Sequence, residues 1–107
     1  MSIIKGILEE ELARLEDLSV FYGKKISEFP HGSISVKERN GKRYIYLIRR
    51  EDKKVVFDYI GKDVPEARNA LNEKLKQRKE YQVKLRQVKE NLKEVRKYLR
   101  GKSKRNK

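Results

Sequence analysis

A chain of 107 residues, 36% hydrophobic and 42% charged, has room for one modest core beneath a largely solvated surface. It contains no cysteine, which excludes a disulfide framework and a thiolate metal site. No apolar run reaches the length of a membrane span or a signal-peptide core, so a cytoplasmic protein without a membrane partner is expected. The formal net charge of +13 points instead to a polyanionic partner.

Ser2 can cap a first helix, in which Ile4, Leu8, Leu12, Leu15, Leu18 and Tyr22 recur at helical spacing. Gly23 is the expected stop. Pro30 and Gly32 then mark an ordered connection. Three segments rich in β-branched and aromatic residues follow, Ser33–Glu38, Lys42–Arg49 and Lys54–Ile60. Asn40-Gly41 is a strong two-residue hairpin signal because both positions tolerate positive φ. Glu51-Asp52 is read as the second turn.

Counting across those turns sets Val36 opposite Ile45, Ile34 opposite Leu47, and Leu47 opposite Val56. Ile34, Val36, Ile45, Leu47, Val56 and Ile60 then share an aliphatic face, expected to pack on a helix. The other face carries Ser33, Ser35, Lys37, Tyr44, Tyr46, Ile48, Val55, Phe57 and Tyr59.

Asp63-Val64-Pro65-Glu66 opens the last helix, with Asp63 as N-cap, Glu66 completing a capping box and Pro65 in the first turn. The helix is expected to end at Gly101. The predicted fold class is therefore α+β: an N-terminal helix, a three-stranded antiparallel β-meander and a long C-terminal coiled-coil-like helix. Residues 1–101 are read as a single helix–sheet–helix domain and 102–107 as a basic, disordered tail. The first helix is expected to pair with about 64–84, using Ala67, Ala70, Leu71 and Leu75. That leaves a heptad seam of Tyr81, Leu85, Val88, Leu92, Val95 and Leu99 without a partner, for which a homodimer is the expected solution.

No catalytic constellation stands out, and no cofactor or metal is implied. His31, the one histidine, sits between Pro30 and Gly32 as a turn residue. There is no Gly-rich phosphate loop or serine elbow. Glu51, Asp52 and Asp58 lie in the hairpin region but give no fixed metal geometry. The chain is not expected to be an enzyme.

Charge carries more information. Four basic residues face six acidic ones from Met1 to Gly32, nine face five from Ser33 to Asp63, and sixteen face five from Val64 to Lys107. Two sets of residues are candidates for nucleic acid. On the last helix, Lys79, Arg86, Lys89, Lys93, Arg96 and Arg100 join Gln82 in a stripe about 31 Å long beside the seam, suited to phosphate contacts. Around the sheet, Lys42, Arg43, Arg49, Arg50, Lys53 and Lys54 cluster at strand ends and turns, while Lys37 shares a face with Tyr44, Tyr46, Phe57 and Tyr59. Cations interleaved with aromatic rings can stack single-stranded bases, or a small sheet can enter a major groove.

The stretch Gly32-Ser33-Ile34 through Tyr44-Ile45-Tyr46-Leu47, with Lys54-Val55 and Tyr59-Ile60-Gly61-Lys62, resembles an uncharacterised family of small bacterial and archaeal helix–sheet–helix proteins. Over about Gly32–Leu75 it is also similar to the arm-type N-terminal domain of tyrosine integrases. That resemblance implies a sheet placed in the major groove of DNA. The function expected is a nucleic-acid-binding accessory or regulatory protein, duplex DNA ahead of RNA, and dimeric through Tyr81–Leu99. The rivals are a helical adaptor or antitoxin-like protein binding an acidic protein through the seam, and a binder of single-stranded RNA on the tyrosine face.

Overall fold

The computed structural model describes residues 2–104. It contains, in chain order, α1 (Ile3–Glu28), β1 (Ser33–Arg39), β2 (Lys42–Glu51), β3 (Lys54–Lys62) and α2 (Pro65–Lys104). The architecture is the expected α+β one, with an antiparallel sheet in the order β1-β2-β3. No helix among the described residues is long and apolar enough to cross a membrane.

Ser2 caps α1 as its position suggested, its Oγ accepting from the Ile4 amide at 3.2 Å. Gly23 is not the stop: the helix runs five residues past it to Glu28. Gly23 does not adopt the positive φ of a terminating glycine, and Pro30, which disfavours helical backbone in the residue before it, supplies the break. Gly101 behaves likewise, inside a helix that continues to Lys104. Of the tail read as disordered, residues 102–104 thus have helical backbone. Residues 105–107 lie outside the described residues.

The first hairpin forms as counted, with Asn40 and Gly41 both at positive φ and Ile34↔Leu47 and Val36↔Ile45 in register. The second turn is Asp52-Lys53 rather than Glu51-Asp52. Both residues take positive φ, so Glu51 pairs with Lys54 and Leu47 with Asp58 instead of Val56. The slip is two residues, an even number, and each side chain keeps its expected face. A bulge then interrupts the β2–β3 ladder between Ile45 and Tyr46. It takes Ile60 off the aliphatic face and leaves it exposed.

The residues pack into two compact units, α1 with α2 from Glu80 onward, and Phe29–Lys79. In the second unit Ile45 and Leu47 are buried with Leu71, joined by Ile34, Ala67 and Leu75. The aliphatic face is thus the covered one, and α2's first turns cover it. Gly32, at φ +129°, lies where a Cβ would come within 2.3 Å of the Ile48 carbonyl oxygen, so β1 is entered through a site open only to glycine. Asp63 does not act as the N-cap. With Pro65 opening the helix, its carboxylate, 8% exposed, takes the Arg68 guanidinium at 2.6 Å and lies 3.6 Å from that of Arg43.

In the helical unit Leu15 is buried with Val88 and Leu92, and Leu12, Leu18, Tyr22 and Val95 pack around them. This corrects the expected pairing of α1 with residues 64–84. Ala67, Leu71 and Leu75 are taken by the sheet, Ala70 is exposed, and α1 takes the heptad seam instead.

Truncating Leu15 to Ala removes the centre of that cluster, so stability should fall by about 2–4 kcal/mol in urea unfolding. Val20→Ala, at an exposed position of the same helix, should change it by less than about 0.5 kcal/mol.

Candidate nucleic-acid interface

The pleat of the sheet sorts its charges. Residues paired in register share a face, so one face carries Lys37 and Arg39 from β1, Lys42, Tyr44, Tyr46, Ile48 and Arg50 from β2, and Val55, Phe57, Tyr59 and Lys62 from β3. Glu38, Glu51 and Asp58 all fall on the opposite pleat, with Arg43, Arg49, Lys54 and Val56. The outer face therefore holds five cations, four aromatic rings and no acid. None of those five cations is ion-paired among the described residues.

The bulge contributes to this arrangement. Between Tyr59 and Lys62 an odd number of steps would put the two on opposite faces. Tyr59 sits opposite Tyr46 in the regular ladder, and the extra residue at the bulge brings Lys62 opposite Tyr44 on the same side.

The rings form a connected group. Tyr59 lies 6.0 Å from Tyr44 and 5.6 Å from Tyr46, centroid to centroid, both pairs inclined, a geometry aromatic pairs favour. The Lys37 ammonium sits 3.8 Å from the Phe57 centroid and 5.4 Å from that of Tyr46, within cation–π range. Tyr59 is 59% exposed and Phe57 46%. Arg39, Lys42 and Lys62 stand at one end of the aromatic band, with Arg50 at the other beside the Asp52-Lys53 turn.

Several expected site residues are engaged elsewhere. Arg49 lies on the acid-bearing pleat, its Nε donating to Asp58 at 2.7 Å and its Nη1 to Glu51. Those hydrogen bonds, to Asp58 first and Glu51 second, raise its guanidinium pKa above the ordinary value. Two of the three acids of the hairpin region are thereby accounted for. Arg43 faces Asp63, and Lys54 lies opposite Glu51 on the same acid-bearing pleat. Lys53 occupies the turn. Lys42, Arg50, Tyr44, Tyr46 and Lys37 remain on the outer face. Arg39 and Lys62 were missed: extending the period of two from Lys37 finds Arg39, whereas Lys62 depends on the bulge.

On α2, Lys79 belongs to the unit with the sheet. Arg86, Lys89, Lys93 and Arg100 are exposed in the helical unit, but the stripe is less purely basic than its spacing implied. Arg96 donates to Glu16 of α1 at 3.2 Å, and Glu90 lines a shallow groove with Arg86, Lys89, Lys93 and Ile26. The seam residues assigned to a dimer, Tyr81, Leu85, Val88, Leu92, Val95 and Leu99, are buried or half-buried within the chain itself. Tyr81 stacks near Tyr22, with centroids 5.9 Å apart.

Residues 3–69 match the family model described as a domain of unknown function, DUF6788, and the chain belongs to that family. The match spans α1, the sheet and the first turn of α2, and it carries no link to integrase arm domains. No curated protein and no solved structure matches the chain.

Replacing Arg49 by Ala should lower the urea midpoint by freeing Asp58 and Glu51 from their shared partner, yet change affinity for a polyanion by no more than about twofold. Lys42→Ala should do the reverse, sparing the midpoint and weakening the affinity.

Proposed function

We propose that this member of the DUF6788 family binds nucleic acid through the outer face of its sheet, as an accessory or regulatory protein. One observation carries the reading: the face combines five unpaired cations with four aromatic rings and excludes every acid of the three strands. Cations at that density attract a phosphate backbone and gain from the counterions it releases. The rings add contact area that charge alone does not offer. The exposed cations Arg86, Lys89, Lys93 and Arg100 on α2 raise the local concentration of any polyanion, and they are secondary in this reading because Glu16 and Glu90 lie among them.

Anisotropy titration of labelled DNA and RNA oligonucleotides across a salt series tests the proposal. Affinity should fall steeply with salt, with log K linear in log salt concentration. The double reversal Lys42→Glu with Arg50→Glu should reduce the slope by about one unit per lost phosphate contact. Lys54→Glu, on the acid-bearing pleat, carries half that change in net charge and should leave the slope nearly intact. Equal slopes for all three proteins would overturn the sheet as the site. A slope that falls only on reversal at Arg86, Lys93 and Arg100 would transfer the site to α2.

A further inference from the structure

Resting on that reading, we propose that the ligand of the sheet face is a single strand, DNA or RNA, whose bases stack on the aromatic band with Tyr59 as the principal platform and whose phosphates run to the cationic rims. The layout of the face distinguishes a single strand from a duplex. Four of its five cations are gathered at the two ends of the strands, Arg39, Lys42 and Lys62 at one and Arg50 at the other, while the middle is aromatic, with the Lys37 ammonium over Phe57 and Tyr46. A duplex presents its phosphates outermost and hides the faces of its bases in the stack. Laid on this surface it would set its backbone against rings and bring only groove edges within reach. A single strand has both features to offer, phosphates along its length and free π-faces that stack on any aromatic ring.

The dimensions agree. From Lys42 to Arg50 is eight steps of an extended strand, about 26 Å, long enough for a site of about four nucleotides, the lower end of the range for small single-strand-binding sheets.

Tyr59 is singled out by three observations. It is the more exposed of the two β3 rings, at 59%. It is the ring that links Tyr44 and Tyr46. Among the described residues no lysine or arginine lies over its ring, whereas Phe57 has the Lys37 ammonium 3.8 Å from its centroid. A base landing on Phe57 must displace Lys37, which frees that ammonium for a phosphate; a base landing on Tyr59 has no such cation to displace. The regular ladder sets Tyr59 opposite Tyr46, and the bulge that follows it brings Lys62 round to the same side. The regular register thus supplies the platform, and the irregularity in β3 adds a cation to its rim.

The test uses the full chain with three fluorescein-labelled probes: a 12-nucleotide oligo-dT, its oligo-U counterpart and a 12-base-pair duplex. At 100 mM salt a single strand should bind at least about tenfold more tightly than the duplex. Tyr59→Ala should weaken single-strand binding about tenfold with an unchanged salt slope, since no phosphate contact is lost. Tyr59→Phe, which keeps the ring, should restore the affinity, and matching thermal melts of both variants exclude a folding defect. The two single-stranded probes separate DNA from RNA. A duplex bound as tightly as the strands, or a Tyr59→Ala protein with unaltered affinity, overturns this inference and leaves the sheet as a nucleic-acid surface. Absence of salt-dependent binding to all three probes overturns the broader reading with it.

Discussion

A three-stranded sheet has two faces, and the helix that follows it can cover only one. In this protein the first turns of α2 lay Ala67, Leu71 and Leu75 over Ile34, Ile45 and Leu47, and the other face has no covering element within its unit. Everything on the outer face follows from that asymmetry. On β2 the residues alternate strictly, Tyr44 and Tyr46 out, Ile45 and Leu47 in, so burying the aliphatic pair commits the tyrosines to the opposite side. The rings tolerate exposure because they are amphipathic and shield one another, with the Lys37 ammonium drawn over Phe57 and Tyr46. Coverage by one helix thus partitions the sheet into a core face and an outer face.

That partition was legible in the sequence because it depends on a period of two and on little else. Asn40-Gly41 fixes the first hairpin, since few dipeptides accept two positive φ values so readily. The second turn misled by two residues. Asp52 and Lys53 adopt the same conformation without a glycine, and lysine carries no marker for it. The assignment of faces survived because the error was even. The bulge left no comparable trace: Ile60-Gly61 reads as an ordinary strand end, and the side on which Lys62 emerges cannot be counted across an irregularity that is not visible. Arg49 shows a different limit. As a cation near a turn it looks like a phosphate ligand, and only the register brings Asp58 and Glu51 to it.

The heptad seam was legible as a seam and illegible as to its partner. Tyr81, Leu85, Val88, Leu92, Val95 and Leu99 state that an apolar surface will cover that stripe, and the same spacing serves a second copy or a neighbouring helix equally well. The choice follows from competition for the first turns of α2. Strand and following helix are adjacent in sequence and pack with short connections, so the sheet claims Leu71 and Leu75 first. α1 is left with the residues beyond Glu80, where Leu15 meets Val88 and Leu92. Two clusters, each built around three buried residues, take the place of the single core that the length of the chain suggested.

Under the proposed function the two cationic surfaces would act differently on a polyanion. The row on α2 is long and exposed, but Glu16 holds Arg96 and Glu90 lies in the groove among Arg86, Lys89 and Lys93. Its contribution is a field, and at physiological salt that field is screened beyond about 8 Å. On the sheet no strand acid shares the face of the cations and the surface between them is aromatic, so two terms would combine at short range. The Coulombic term fades as salt rises, whereas the area that a base covers on Tyr59 or Phe57 does not depend on the ionic atmosphere. A field of this kind attracts any polyanion equally. Discrimination requires something that only some polyanions possess, and in the reading proposed above the ring-bearing face would supply it by taking up exposed bases.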